Sequence, residues 1–367
     1  MTSAGWLECT CTFFPVWMMN SLLTNEVFAL IIMLTDRSLG FVTIVEYGDL
    51  ENKAILLAES IRRFLADDSK YPIYVIRPRR GREIRATTKE KFNRLGVNYV
   101  PMELNIKWKD FPFANIAYGA AYAEALVSGT IETLIYFDAD ILCLKDPLEI
   151  KMESQIDVIT TPVDVSHTTA QAQAYGYGLD PYWKAAFDIN GVDTASLWPI
   201  ETKVDKVKIY PTFNSGFVAV RPELGIFRRW KDSFERITEV SYFSHLNPLR
   251  KEFFFLDQAL LTSSILSLVP RERINILGAI YNYPLNLVEQ MTGNSPLDLD
   301  EVVFLHYHRS FYDLSWMEHA KMSEPTKAWL LSRLPLPRDY KFDKVRTKRE
   351  LISELFKSKF LSYFNVK

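Results

Sequence analysis

A chain of 367 residues, 48% hydrophobic and 24% charged, has ordinary globular usage and can bury a sizeable core without disulfides or a structural metal. Its formal charge of -2 argues against a nucleic-acid binder that works through a broad basic field. Three cysteines, Cys9, Cys11 and Cys143, make no disulfide framework and leave Cys9 and Cys11 without a second Cys/His pair for zinc.

Residues 13–34 are apolar, but Asn20, Ser21, Thr24, Asn25 and Glu26 interrupt them. A spanning helix needs ~20 mostly apolar residues, and no basic cluster of the secretory kind precedes the stretch. Residues 1–38 therefore read as a leader outside the fold, with a signal anchor as the alternative. The expected location is cytoplasmic, with membrane association as the alternative.

The folded part begins at Gly40. Residues 41–45 are short and β-branched, as a buried parallel strand is. A polar loop follows over 46–51, then apolar residues at helical spacing over 54–65. The next strand is predicted at 71–76, with Pro72 at its start, then a helix at 89–95 and a strand at 97–100. A helix covers 114–127, and the strand at 133–137 runs straight into Asp138-Ala139-Asp140. Strands alternating with helices predict an α/β fold with one mostly parallel, Rossmann-like sheet and right-handed crossovers. Ligands of such sheets bind outside the carboxyl ends of the strands, which is where the two aspartates stand.

Residues 166–205 are long, polar and aromatic, with Tyr175, Tyr177, Tyr182, Trp183 and Trp198. Such a segment reads as binding loops, and Trp183 and Trp198 are expected to offer faces to an acceptor sugar. A strand at 213–221, helices at 224–237 and 254–268, and a late strand at 302–305 follow. The last ends in His306-Tyr307-His308-Arg309. From Lys341 onward the chain is basic and amphipathic, and is expected to pack back on the domain as a helix. Peripheral membrane contact through that helix is the alternative.

Transfer of a sugar from a nucleoside diphosphate needs the charge of the departing diphosphate to be neutralised, which a divalent ion does without proton transfer. Mg²⁺ and Mn²⁺ favour carboxylate oxygens, and aspartates at i and i+2 just past a strand can present two of them. Burying Asp138 and Asp140 between apolar runs is costly unless a metal or hydrogen bonds satisfy them. The chain carries its own control: Asp298-Leu299-Asp300 has the same spacing, follows no buried strand and reads as a solvated loop.

Four short pieces in order then carry a resemblance. The apolar strand with Asp138-Ala139-Asp140, the run Phe213-Asn214-Ser215-Gly216-Phe217-Val218-Ala219-Val220, the pair Asp257-Gln258 and the pair His306-Tyr307 together resemble the glycogenin-like, family-eight glycosyltransferases and their GT-A relatives. The likeness implies a GT-A-like domain over 39–316 and leaves 317–367 as a helical, basic C-terminal extension. It implies a UDP- or GDP-sugar donor, a carbohydrate or glycoconjugate acceptor, Mn²⁺ or Mg²⁺, and retention at the anomeric carbon. It also implies that Asp138, Asp140 and His306 hold the metal, with Asp138 reaching the ribose. Tyr47, Ala139, Ser215, Gly216, His308 and Arg309 would line the nucleotide and sugar, and Asn214, Asp257 and Gln258 would stand at the reacting sugar.

The family's lysine-proline before a late tryptophan is missing before Trp316, and Arg309 is the nearest basic substitute for that phosphate contact. The first strand lacks the Gly-x-Gly-x-x-Gly run of a dinucleotide enzyme. A haloacid-dehalogenase phosphatase is disfavoured because Ile141, rather than Thr or Val, follows the motif, which lies deep in the domain. The remaining alternative is a non-catalytic sugar-nucleotide or glycan-binding protein of the same fold.

Overall fold

The computed structural model describes residues 39–65, 71–146, 150, 152–166, 173–244, 255–293 and 295–338. The expected leader, the basic C-terminal helix and residues 167–172 lie outside the described residues.

In chain order the main elements are β1 (Leu39–Ile44), α1 (Asp49–Phe64), β2 (Ile73–Arg77), α2 (Ala86–Arg94), β3 (Val97–Pro101), α3 (Ala114–Val127), β4 (Thr133–Phe137), β5 (Ile141–Cys143) and β6 (Val158–Pro162). The second half holds α4 (Pro181–Asp188), a short hairpin of β7 (Ile200–Glu201) and β8 (Lys208–Ile209), β9 (Phe213–Val220), α5 (Ile226–Arg236), α6 (Leu256–Leu268), β10 (Ile274–Ile276) and β11 (Tyr283–Pro284). It ends with α7 (Val288–Thr292), β12 (Leu297–Asp298), β13 (Phe304–His306), β14 (Ala320–Lys321) and α8 (Glu324–Leu331).

Seven strands form one sheet in the order β10-β6-β9-β4-β1-β2-β3. Only β9 runs antiparallel to its neighbours β4 and β6, so the sheet is mostly parallel, as expected. Its strands are buried on both sides. Val42 and Ile44 of β1, with Leu134 and Tyr136 of β4, join the cluster beneath α3, α5 and α6. Phe41, Ile135 and Phe137 face the opposite cluster with α1 and Phe92 of α2. Two buried faces explain why these strands read as continuous apolar runs.

Helix α1 starts five residues before the apolar periodicity does. Gly48, at φ 109, is its N-cap, and its N–H donates to the Glu51 carboxylate at 2.9 Å. That capping contact turns part of the expected polar loop into helix. Helix α5 is capped across the fold: buried Glu124 of α3 accepts from the N–H groups of Phe227, 3.0 Å, and Arg228, 2.9 Å.

A second, three-stranded sheet in the order β11-β13-β5 was not foreseen. In it β5 pairs antiparallel with β13, placing His306 opposite Ile141. A third apolar cluster surrounds this sheet and draws in Leu330, Leu334 and Leu336 from beyond residue 316. Among the described residues no helix is long and apolar enough to cross a membrane.

Candidate active site

Strand β4 delivers Asp138 and Asp140 to the carboxyl edge of the main sheet. The chain then turns, with Ile141 N–H donating to the Asp138 carbonyl at 3.0 Å. Asp138 N–H donates to the Gly216 carbonyl at 2.8 Å. Because β9 is antiparallel, its amino end lies at this edge and sets Asn214-Ser215-Gly216 beside the aspartates. Gly216 has no room to spare. A Cβ there would lie 3.0 Å from His306 Cε1, 3.0 Å from Asn214 Oδ1 and 3.2 Å from Asp138 Oδ2.

The two carboxylates differ. Asp138 Oδ1 accepts from the Tyr136 hydroxyl at 2.7 Å, and burial with the neighbouring charge of Asp140 raises its pKa. Burial opposes ionisation of Asp140 as well, but Lys53 and His306 overcome it and hold its pKa well below the usual carboxylate range. The Lys53 ammonium lies 2.8 Å from Asp140 Oδ2. His306 Nε2 faces Asp140 Oδ1 at 3.3 Å.

Pairing of β5 with β13 is what brings His306 to Asp140, although they are far apart in sequence. The strand ends there, and Tyr307 turns inward to bury its ring completely. His308 then takes a left-handed φ of 48, which returns its ring to the side of His306. The two rings stack with centroids 3.8 Å apart. Burial, followed by the neighbouring His306, pushes the His308 pKa down to about 3, so its imidazole is neutral near pH 7.

One ligand atom from each of Asp140, His306 and His308 lies within 4.8 Å of the others. One carboxylate oxygen with two imidazole nitrogens is a donor set that suits Mn²⁺ or a similar divalent ion. The surroundings of His306 suit it too. Its Nδ1 lies 3.1 Å from Asn282 Oδ1, and the Asn282 amide nitrogen donates to Thr161 Oγ1 at 3.3 Å. With the amide so oriented, Nδ1–H donates to Asn282 and Nε2 is the nitrogen that faces Asp140, the one that would be given to a metal on losing its proton. Asn282 is itself fixed: Lys203 donates to its carbonyl at 2.8 Å and pairs with buried Asp164 at 2.7 Å.

Beyond this group, Ser215 Oγ donates to Asp257 Oδ2 at 2.7 Å, and Ser215 N–H donates to Gln258 Oε1 at 3.3 Å. Both acceptors sit on the first turn of α6. Asp257 is 2% exposed, its Oδ1 has no hydrogen-bond partner among the described residues, and burial raises its pKa to about 7. A buried carboxyl oxygen without a hydrogen-bond partner is suited to a ligand hydroxyl.

The sequence-selected residues thus fall into two neighbouring sets. Asp138, Asp140, His306, His308 and Gly216 come together, and Asn214 and Ser215 connect them to Asp257 and Gln258. Asp138 is next to the three-ligand group without belonging to it, and His308 supplies the third ligand atom. Ala139 is buried. Arg309 is exposed at the start of the turn Ser310–Tyr312. Tyr47 follows β1 with Arg82 3.9 Å and Arg85 4.7 Å from its ring centre. Trp183 is fully buried, so it has no face to offer an acceptor. Asp298 and Asp300 are exposed, with Asp298 accepting from Asp300 N–H at 3.0 Å, an ordinary turn.

Sequence reading missed Lys53 and Asn282. Lys53 sits in the first turns of the helix that follows β1, and helices at that edge point toward the ligand site. That position was the available signal.

Residues 41–268 match the Rhodobacterales glycosyltransferase domain, and the chain belongs to that family. It is a glycosyltransferase, the class the motifs led us to expect. No curated protein matches the sequence. Among solved structures, the galactosyltransferase LgtC in complex with donor and acceptor sugar analogues is 12% identical, with a TM-score of 0.45, over 83% of this chain and 99% of that one. Mouse xyloside xylosyltransferase 1 is also 12% identical, with a TM-score of 0.39, over 74% of this chain and 98% of that one.

Proposed function

We propose that this glycosyltransferase is metal-dependent and moves a sugar from a UDP- or GDP-sugar to a carbohydrate or glycoconjugate acceptor. The observation that carries the reading is the convergence of Asp140, His306 and His308 at the carboxyl edge of the sheet. Asp140, His306 and His308 would hold Mn²⁺ or Mg²⁺, with Asp138 alongside. A bound divalent ion would supply charge neutralisation for the departing diphosphate.

The chain's own residues account for the rest. Lys53 places a positive charge against Asp140, and Arg309 is the basic residue nearest the place of the family's missing lysine. Asn282 orients His306. Gly216 lets the backbone approach without blocking the metal ligands. Ser215 fixes Asp257, whose unpartnered oxygen can accept from a sugar hydroxyl, and Gln258 anchors the Ser215 amide. Tyr47 and its two guanidinium neighbours stand on the β1 side, where the nucleotide would lie. Retention rests on the glycogenin-like resemblance.

Donor hydrolysis with Mn²⁺, followed across a panel of UDP- and GDP-sugars by release of the nucleoside diphosphate, tests the reading. At least one donor should turn over, and Asp140→Asn should lower the rate about 100-fold or more. Donor binding without product in the presence of Mn²⁺ would favour the non-catalytic alternative. Product NMR of the anomeric proton tests retention.

A further inference from the structure

A cavity of about 490 Å³ opens between the edge strand β10 and the β7 hairpin, a volume within the range of small-ligand sites. Ile274 and Ile276 make an apolar wall, and Trp198, Glu201, Lys206 and Arg271 contribute to the remaining lining. The Arg271 guanidinium lies 5.3 Å from the centre of the Trp198 ring. Lys206 adopts a φ of 55, a left-handed conformation that disfavours a non-glycine residue. Its loop is nonetheless well braced: Thr202 N–H donates to the Val207 carbonyl at 3.1 Å, and Val207 N–H to Thr202 Oγ1 at 2.9 Å. Among the described residues neither Lys206 nor Arg271 has a carboxylate partner, and Glu201 has no basic one.

The cavity runs along the edge strand. Arg271, with Trp198 against it, precedes β10 at its amino end, and Leu277, Gly278 and Ala279 follow its carboxyl end. Lys203 lines the cavity too, and its buried ammonium donates to the carbonyl of Asn282, whose side chain meets His306 Nδ1. Buried side chains therefore stand between the cavity and the metal-ligand group.

We propose that this cavity is a saccharide-binding site apart from the candidate active site and that it takes a saccharide bearing a carboxylate, of the hexuronate class. The saccharide chemistry rests on the cavity itself. The indole and the isoleucine wall suit the C–H face of a sugar ring. Glu201 accepts from hydroxyls. Lys206 and Arg271 supply charge-assisted hydrogen bonds to a carboxylate, two cations against one acid.

The test is direct binding of p-nitrophenyl β-D-glucuronide and p-nitrophenyl β-D-glucoside to the full chain with EDTA present, by titration calorimetry. The glucuronide should bind about ten-fold more tightly. Arg271→Gln and Lys206→Gln, both at exposed positions, should each reduce that preference, and Trp198→Ala should weaken both glycosides. Absence of binding by either glycoside, equal affinity for the two, or a glucuronide preference that survives both charge variants would overturn the proposal. Because no metal or nucleotide enters the titration, its failure leaves the Asp140 reading standing, and failure of that reading leaves this result standing.

Discussion

At the scale of single residues the candidate site depends on hydrogen bonds that fix otherwise adaptable groups. Asn282 is fully buried and its amide oxygen sets which His306 nitrogen faces Asp140. Asn282→Leu should lower Mn²⁺ affinity about 10- to 100-fold, the usual effect of removing such a partner, whereas Asn282→Asp, which keeps an acceptor, should lose less. Electron paramagnetic resonance of free Mn²⁺ during titration reads both. Asp257 gives a pH prediction. Its folded pKa of about 7 lies above its unfolded value of about 3.9, so the folded state holds the proton more tightly. Its contribution is fully present below about pH 4 and is lost as pH rises through 7. Glu124, also raised by burial to about 7, acts in the same sense. Urea midpoints should therefore fall between pH 5 and pH 8, on the order of the usual window, and Asp257→Asn should flatten that fall. An unchanged slope would show that Asp257 is not held protonated.

At the scale of elements, two contacts between distant segments stand out: β5 against β13, which builds the site, and α3 against α5, which packs behind the sheet. The second is tested by Glu124→Ala, which strips the acceptor from the Phe227 and Arg228 amides at the start of α5. Leaving buried donors unpaired costs about 1–3 kcal/mol, readable in urea denaturation, and Glu124→Gln should cost less because it keeps an acceptor. The first contact marks the limit of what the sequence revealed. The strands at 41–45 and 133–137 were legible because both faces are buried and every residue is apolar or β-branched. β5 and β13 are three residues each, too short to show a period, and their pairing is long-range. His306 was selected through resemblance. Its partner Asn282 lies between the single turn Ala279–Tyr281 and the two-residue β11, where no periodic signal marks a buried amide. The start of α1 was missed because its first turn is defined by the Glu51 cap, not by apolar spacing. Trp183 looked like a surface ring because tryptophan in a polar tract does not reveal which side of a helix it takes.

For the whole molecule, the mostly parallel sheet explains why the functional groups share one edge. Chain direction puts the ends of β1, β4, β6 and β10 there, and reversal of β9 adds its amino end with Asn214, Ser215 and Gly216. Tyr47 and the aspartates follow neighbouring strands at that edge. Such a site should couple its ligands: a metal held by Asp140 and the two histidines creates the surface on which a diphosphate binds. The most direct measurement is titration calorimetry of UDP and GDP into the protein with Mn²⁺ and again with EDTA. One of the two nucleotides should bind only when Mn²⁺ is present, with affinity lowered about 100-fold in Asp140→Asn. Binding that is equally tight in EDTA and in Asp140→Asn would contradict the account.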